Sequence, residues 1–129
     1  MIYNLTAYLK VQLATINFIV NGWSQDSPEA SVMLRQTGGV VQHWYDRTDW
    51  AVQIMSRSNN VVESKTLIDS VFNVLKNKFG ITLPEVTVNA VVHAAVKTYQ
   101  ISPIQQPGYI GADEKHLEMW SVNFTITTD

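Results

Sequence analysis

Cysteine and dense positive charge are the two most informative absences in this sequence. None of the 129 residues is a cysteine, which excludes disulfide bonds, thiolate zinc sites and cysteine nucleophiles. Nine Lys and Arg residues against eleven Asp and Glu residues give a formal charge of −2, and no segment carries a dense basic cluster. Because nucleic-acid binding requires several phosphates to be neutralised at once, tight binding to DNA or RNA is disfavoured.

Long apolar runs are also lacking, and the opening segment does not have the pattern of a secretion signal. The opening segment "MIYNLTAYLK" has no basic region, and no stretch has the roughly 18 apolar residues of a membrane span. We therefore expect a soluble cytoplasmic product without membrane contact. With 46% hydrophobic and 16% charged residues, the chain has the composition of a packed protein, and its length predicts one domain over residues 1–129.

Apolar periodicity predicts a helix followed by a hairpin in the first half of the chain. The helix is predicted over residues 2–20, where apolar residues recur every three or four positions. Alternation predicts strands over residues 32–39 and 49–57, which we expect to pair. The apolar residues that carry the helix prediction are Ile2, Leu5, Leu9, Leu13, Ile16 and Val20.

A second helix and two further strands are predicted in the other half. Asn60 and Glu63 have the spacing of a capping box, and Gly80 is a suitable helix end. Alternation then predicts a long strand over residues 86–101 and a last strand over residues 117–128. The fold class expected is α+β, in the order α-β-β-α-β-β: a mixed or antiparallel four-stranded sheet with two helices packed on one face.

An acidic loop between the last two strands is the main candidate for chemistry. Its potential ligands for a metal ion or an acid–base pair are Asp113, Glu114, His116 and Glu118. Their spacing matches neither an EF-hand loop nor a zinc-hydrolase helix, and a solvated turn is the more common structure for such a segment. We expect no catalytic residues, no resident metal and no cofactor. A small metal-binding or enzymatic domain that uses residues 113–118 stays open as an alternative.

Apolar and aromatic residues occur where a monomer would expose them to water. Trp44 and Tyr45 lie in the connection of the predicted hairpin, and Tyr109 and Ile110 lie in the last loop. Exposed apolar patches often mark contacts between proteins, and aromatic residues often carry a large share of the binding energy. The sequence therefore favours a protein built for assembly.

The order of several short motifs resembles a known family. These motifs are "SVMLRQTGG" followed by "WAVQIMSRS", then a capped helix, a long strand and "SPIQQPGYIGADEKHLEMWSVNFTI". The pattern is similar to that of the tail terminator, often labelled minor capsid protein, of long non-contractile-tailed bacteriophages and prophages. The resemblance extends from the first helix to residue 126, and the charged "DEKHLE" replaces a shorter, glycine-rich turn.

The resemblance implies a structural protein of the virion. Such a protein forms a ring, usually a hexamer, that caps the tail tube at its head-proximal end and stops its polymerisation. Its partners are the tail tube protein on one face and head completion or connector proteins on the other, and DNA passes through without specific binding. A head–tail connector is the alternative within assembly proteins. Together with Trp44, Tyr45, Tyr109 and Ile110, the expected interface residues are Arg35, Gly38, Gly39, Arg57, Gly111 and Asp113.

Overall fold

The computed structural model describes residues 1–24, 26–41 and 47–129, without the side chain of Val41. Two helices and ten strands occur in these residues. The helices are α1 (Ile2–Gln12) and α2 (Val61–Leu75). The strands are β1 (Phe18–Val20), β2 (Ser31–Val41), β3 (Thr48–Ser58), β4 (Lys78–Phe79), β5 (Thr82–Leu83), β6 (Val86–Val88), β7 (Val91–His93), β8 (Val96–Pro103), β9 (Gly108–Ala112) and β10 (Glu118–Thr128).

Eight of these strands form one mixed sheet, and the other two form a separate hairpin. The sheet has the order β1-β2-β3-β10-β8-β4, with β5 also paired to β8 and β9 also paired to β10. The predicted α+β class is confirmed, but the predicted four-stranded sheet and the predicted order α-β-β-α-β-β are wrong. Additional short strands extend the sheet, and β10 lies in its centre between β3 and β8.

Both helices pack on the same face of the sheet. Alternation in β10 points Val122, Phe124 and Ile126 to this face, as the sequence predicts, and all three are fully buried. Leu5 of α1 and Ile68 of α2 belong to the same core and are also fully buried. Burying each such side chain contributes about 1.5–3 kcal/mol relative to leaving it exposed.

The first helix is shorter than predicted. It ends at Gln12, and residues 18–20 form β1, which pairs in parallel with residues 32–34 of β2. Phe18, Ile19 and Val20 are residue types that favour strands. The helical stripe of apolar residues also continues to Val20, so the sequence here is compatible with both structures. Backbone hydrogen bonds from Val32 N to Asn17 O and from Asn21 N to Leu34 O extend this pairing.

The second helix begins where the sequence predicts and ends earlier. Asn60 Oδ1 accepts hydrogen bonds from the backbone N–H groups of Val62 and Glu63, at 2.8 and 3.2 Å. These bonds satisfy two donors that have no partner within the helix. The helix ends at Leu75 rather than near Gly80, because the following residues pair with β8 as strand β4.

The strand predicted over residues 86–101 is two separate units. Asn89 and Ala90 both have positive φ, at 50° and 64°, the geometry of a two-residue hairpin turn. The chain therefore reverses between β6 and β7 and becomes part of the main sheet only at β8. Alternation along one continuous strand would place Val92 on the core face, but after this reversal its side chain is 60% exposed.

A buried asparagine fixes the base of the β6–β7 hairpin to α1. Asn4 Nδ2 lies 2.9, 3.2 and 2.9 Å from the backbone oxygens of Pro84, His93 and Ala94. The ring of Tyr3 also contacts the ring of His93, with 5.0 Å between centroids. These contacts hold the hairpin in a defined position on the end of the helix.

We expect Asn4→Ala to lower the free energy of unfolding by about 1–2 kcal/mol and to loosen the hairpin selectively. The variant leaves three carbonyl groups without this donor. It also removes a buried Oδ1 that has no hydrogen-bond partner in the described residues, which offsets part of the loss. Amide hydrogen exchange measures the effect: protection should fall at 86–93 and persist in β10.

The matched control is Asn17→Ala, which removes one exposed bond to Ala30 O and should leave exchange in the hairpin unchanged. An equal loss of protection in β10 and in the hairpin of the Asn4→Ala variant would contradict the local role of Asn4.

Candidate functional site

Two residues expected at an interface, Arg57 and Asp113, meet across the sheet. Arg57 pairs with Met119 of the central strand, and Met119 pairs with Gly111 of β9. Asp113 follows β9 directly, so the register brings its side chain next to Arg57. Arg57 Nη1 and Asp113 Oδ2 are 3.6 Å apart.

The Arg57 side chain is buried beneath the loop between β1 and β2. Only 5% of it is exposed, and its guanidinium carbon lies 4.6 Å from the centre of the Trp23 ring. Nη2 is 3.5 Å from the backbone oxygens of Ser27 and Pro28, whereas Nε has no partner in the part of the chain that the structure describes. Arg57 thus connects the sheet to this loop and to the Asp113 turn.

Asp113 organises the turn between β9 and β10. Its Oδ1 accepts hydrogen bonds from the backbone N–H groups of Lys115 and Leu117, both at 2.9 Å. The backbone closes the turn with bonds from Asp113 N to Leu117 O and from His116 N to Asp113 O, both 3.0 Å. Both carboxylate oxygens of Asp113 are therefore engaged in holding the turn against the sheet.

An open cleft of about 580 Å³ lies over this cluster. Its lining residues are Trp23, Ser24, Arg57, Asp113, Glu114 and Lys115. Within the described residues, no three Asp, Glu or His side chains are close enough together to hold a metal ion. His93 lies beside α1 and His116 in the turn, and His43 lies outside the described residues.

The β9 strand presents an aromatic pair at the edge of the sheet. The Tyr109 ring packs edge-on against Trp120, with centroids 5.5 Å apart, and the Tyr109 hydroxyl donates to Glu118 Oε2. This hydrogen bond raises the pKa of Tyr109 above its usual value, so the hydroxyl stays a neutral donor. Lys65 Nζ of α2 lies 5.2 Å from the centre of the Trp120 ring.

Gly111 and Ile110 shape the same strand. Gly111 has a φ of 102°, which is the left-handed region that favours glycine. A bulge in the pairing with β10 sets Ile110 outside the regular register, and its side chain is 52% exposed. The segment predicted as a loop is therefore a strand here, and Tyr109, Ile110 and Gly111 follow one another along it.

Arg35, Gly38 and Gly39 lie along β2, which is separated from β9 by β3 and β10 in the order of the sheet. Arg35 is exposed, and its Nη2 donates to Gln53 Oε1 of β3 at 2.5 Å. Gly38 sits at a bulge with a φ of 140°. A Cβ atom on Gly39 would lie 2.8 Å from the backbone oxygen of Asp49, so the close approach of these two strands requires glycine.

The expected interface residues thus divide into three places, and their interface role stays a prediction. Arg57 and Asp113 form an internal cluster, while the β9 and β2 residues lie on separate parts of the surface. Trp44 and Tyr45 lie outside the described residues. Sequence reasoning did not assign Trp23 a role; an isolated tryptophan in the polar segment "NGWSQDSPEA" is the signal that could have indicated a fixed loop.

In the described residues, no helix has the length and apolarity to cross a membrane.

Comparison with known proteins identifies the family. The search of curated proteins found no match. A family model described as bacteriophage tail terminator protein matches residues 11–129, which include α2, every strand, and the cluster around Arg57. The chain therefore belongs to the bacteriophage tail terminator protein family.

Proposed function

We propose that residues 1–129 act as a single tail-terminator domain that forms a ring, caps the tail tube, ends its polymerisation and provides the surface for head joining. The family match over residues 11–129 carries this proposal, because the family is one of structural proteins of phage tail assembly. A hexamer is the ring size that we propose.

The arrangement of the surface supports a ring. Head-to-tail contacts that close into a ring need two different complementary patches on each subunit. The chain offers exposed apolar side chains at several separate places, among them Val92 on β7 and Ile110 on β9, which are 60% and 52% exposed. The β6–β7 hairpin leads into β8 at the Thr128 end of β10, whereas β9 lies beside the Glu118 end, so one subunit can contact two neighbours.

The charge supports a channel through which DNA slides. A formal charge of −2 gives little net attraction to phosphates, and a ring that DNA traverses needs weak, nonspecific contact. In this proposal the tail tube protein binds one face of the ring and a head completion or connector protein binds the other. The protein assembles in the host cytoplasm and becomes part of the head-proximal end of the virion tail.

We expect the protein to fix the length of tail tubes assembled in vitro. Tube protein that polymerises alone should give tubes that continue to grow when more subunits are added. Tubes that have first bound this protein should not elongate at the capped end, because the ring occupies the surface that the next subunits require. Electron microscopy of tube lengths before and after the second addition measures the effect.

A head–tail connector would give a different result in the same experiment. Tube length would then be unaffected, while the joining of heads to completed tails would depend on the protein. That outcome would overturn the assignment of terminator activity. Heat-denatured protein at the same concentration controls for nonspecific loss of tube subunits.

A further inference from the structure

The β6–β7 hairpin projects from the subunit without charge on it. Residues 86–96 contain no Asp, Glu, Lys or Arg. Val92 and Val91 are 60% and 56% exposed, and they lie at successive positions of β7, so their side chains point to opposite faces. Both faces of the ribbon therefore contact solvent near its turn, and the hairpin does not lie flat on the body.

A two-stranded ribbon of this kind is incomplete as a sheet. Two strands alone are marginally stable in water, and stable sheets have further strands or a covering helix. β6 and β7 pair with each other and with no other strand in the described chain. The bonds from Asn4 fix the base of the hairpin, near Pro84 and Ala94, which leaves residues 87–92 available to a partner.

The β9 strand is the second incomplete sheet edge. On one side it pairs with residues 118–121 of β10, and it has no strand on the other side in the described residues. Residues 98–112 contain no Asp, Glu, Lys or Arg. Exposed edges are commonly protected by charged side chains, lysine above all, and β9 has no charged residue of its own.

These two segments cannot meet within one subunit. The hairpin leads into the beginning of β8, which lies beside the Thr128 end of β10, whereas β9 lies beside the Glu118 end. The length of β8 separates the base of the hairpin from β9. Within the described residues neither segment completes the other, so a second molecule is the source of a partner that we consider for both.

We propose that the β6–β7 hairpin of one copy docks on the β9 edge of the next copy, so that Val91 and Val92 cover Ile110 and Tyr109. This contact rests on the ring of the proposed function and specifies which surfaces form it. The occupant is a second copy of this chain, because the chain carries both an uncharged ribbon and an uncharged edge, at opposite ends of β10. The contact is head-to-tail, as ring closure requires.

The edge of β2 is the less suitable partner for β9. Arg35 is exposed on it, and the bulge between Gln36 and Gly38 distorts it. A charge and a bulge are both features that prevent edge-to-edge pairing. β9 also carries a bulge, but there the displaced residue is Ile110, which gives an exposed apolar side chain for the valines of the hairpin to contact.

The absence of native cysteine allows a direct test by cross-linking. The Val92→Cys/Ile110→Cys double variant, treated with a short bis-maleimide after assembly, should give a ladder of covalent multimers that ends at the ring size. Each single variant should give dimers at most. The matched control is Val11→Cys/Ile110→Cys: Val11 is 75% exposed, more than Val92, so random collision would link it at least as well.

A charge placed on the hairpin gives a second, independent measurement. Val92→Lys should weaken assembly about tenfold or more, because an unpaired ammonium would be buried against the neighbour. Its midpoint of denaturant unfolding as a monomer should be unchanged, since the side chain contacts solvent there. Val11→Lys should affect neither quantity.

The outcomes separate this contact from the function itself. Suppose that the Val92→Cys/Ile110→Cys variant forms rings of normal mass that terminate tubes but gives no ladder of cross-linked multimers. This result would overturn the contact and leave the terminator activity intact. A ladder from Thr37→Cys/Ile110→Cys in place of the 92/110 pair would assign the contact to β2 and overturn it as well. Absence of any wild-type assembly, in solution or on tubes, would overturn both proposals.

Discussion

Arg57→Ala is expected to lower the free energy of unfolding by about 3 kcal/mol, because the substitution removes a buried, paired charge and leaves a cavity. The guanidinium lies between the Trp23 ring, the Asp113 carboxylate and two loop carbonyl groups. Its removal leaves a void under the loop and takes away the cation that faces Asp113. Urea unfolding followed by tryptophan fluorescence measures the change.

Arg35→Ala is the matched control. Both arginines lie on neighbouring strands, and both were predicted at an interface from the sequence. Arg35 is exposed, and among the described residues its side chain bonds to Gln53 alone, so its loss should change the free energy of unfolding by less than about 0.5 kcal/mol. Equal effects of the two substitutions would contradict the structural role assigned to Arg57.

Asp113→Ala is expected to lower the free energy of unfolding by about 2–3 kcal/mol. The variant removes the acceptor of two backbone N–H groups and the carboxylate that faces Arg57. Leu117 N is partly buried, so water replaces its bond only in part. We expect the loss to be local at first, with amide exchange rising over residues 113–117 before the rest of the sheet opens.

Glu114→Ala is the control for this second prediction, because Glu114 is the adjacent, exposed carboxylate and should contribute less than about 0.5 kcal/mol. Asp113→Asn should fall between the two, since its amide oxygen can still accept the backbone bonds. In the Arg57→Ala background Asp113→Ala should be less harmful, because the two side chains interact. Strictly additive losses would show that the ion pair contributes nothing.

Sequence patterns predict correctly those elements for which only one type of secondary structure fits the pattern. β10 alternates over its whole length, and its apolar residues Val122, Phe124 and Ile126 are buried as expected. The cap at Asn60 depends only on neighbouring residues, and the Asn60 half of the predicted capping box forms. The backbone N–H of Asn60 donates to Ser58 Oγ and not to Glu63. Local patterns of this kind report on local structure, so they need no knowledge of the fold.

The errors occur where a pattern fits two structures. Residues 86–101 alternate throughout, and this pattern predicts strand at Asn89 and Ala90, although they form the turn of a hairpin. Alanine is an unusual residue at positive φ, and the usual Asn-Gly signal is missing. Phe18 to Val20 likewise satisfy both a helical stripe and a strand, and pairing with β2 decides between them.

The candidate site was predicted residue by residue but not as an arrangement. Arg57 and Asp113 were both named, yet nothing in the sequence states that they touch. Their contact depends on the order of β3, β10 and β9 and on the register between them. Tertiary pairing over so many residues is not encoded in any single motif, and for the same reason the role of Trp23 was missed.

The central position of β10 determines when a subunit becomes competent for assembly. β10 pairs with β3 on one side and with β8 and β9 on the other, and α2 together with all of the strands β4 to β9 lies between β3 and β10 in the chain. Contacts so distant in sequence slow folding, because the chain must close long loops before these contacts can form. Because β9 pairs with no strand other than β10 in the residues that the structure describes, its outer edge exists only after β10 has inserted. Nascent and partly folded chains therefore lack the surface by which finished subunits would join, and folding precedes assembly in time.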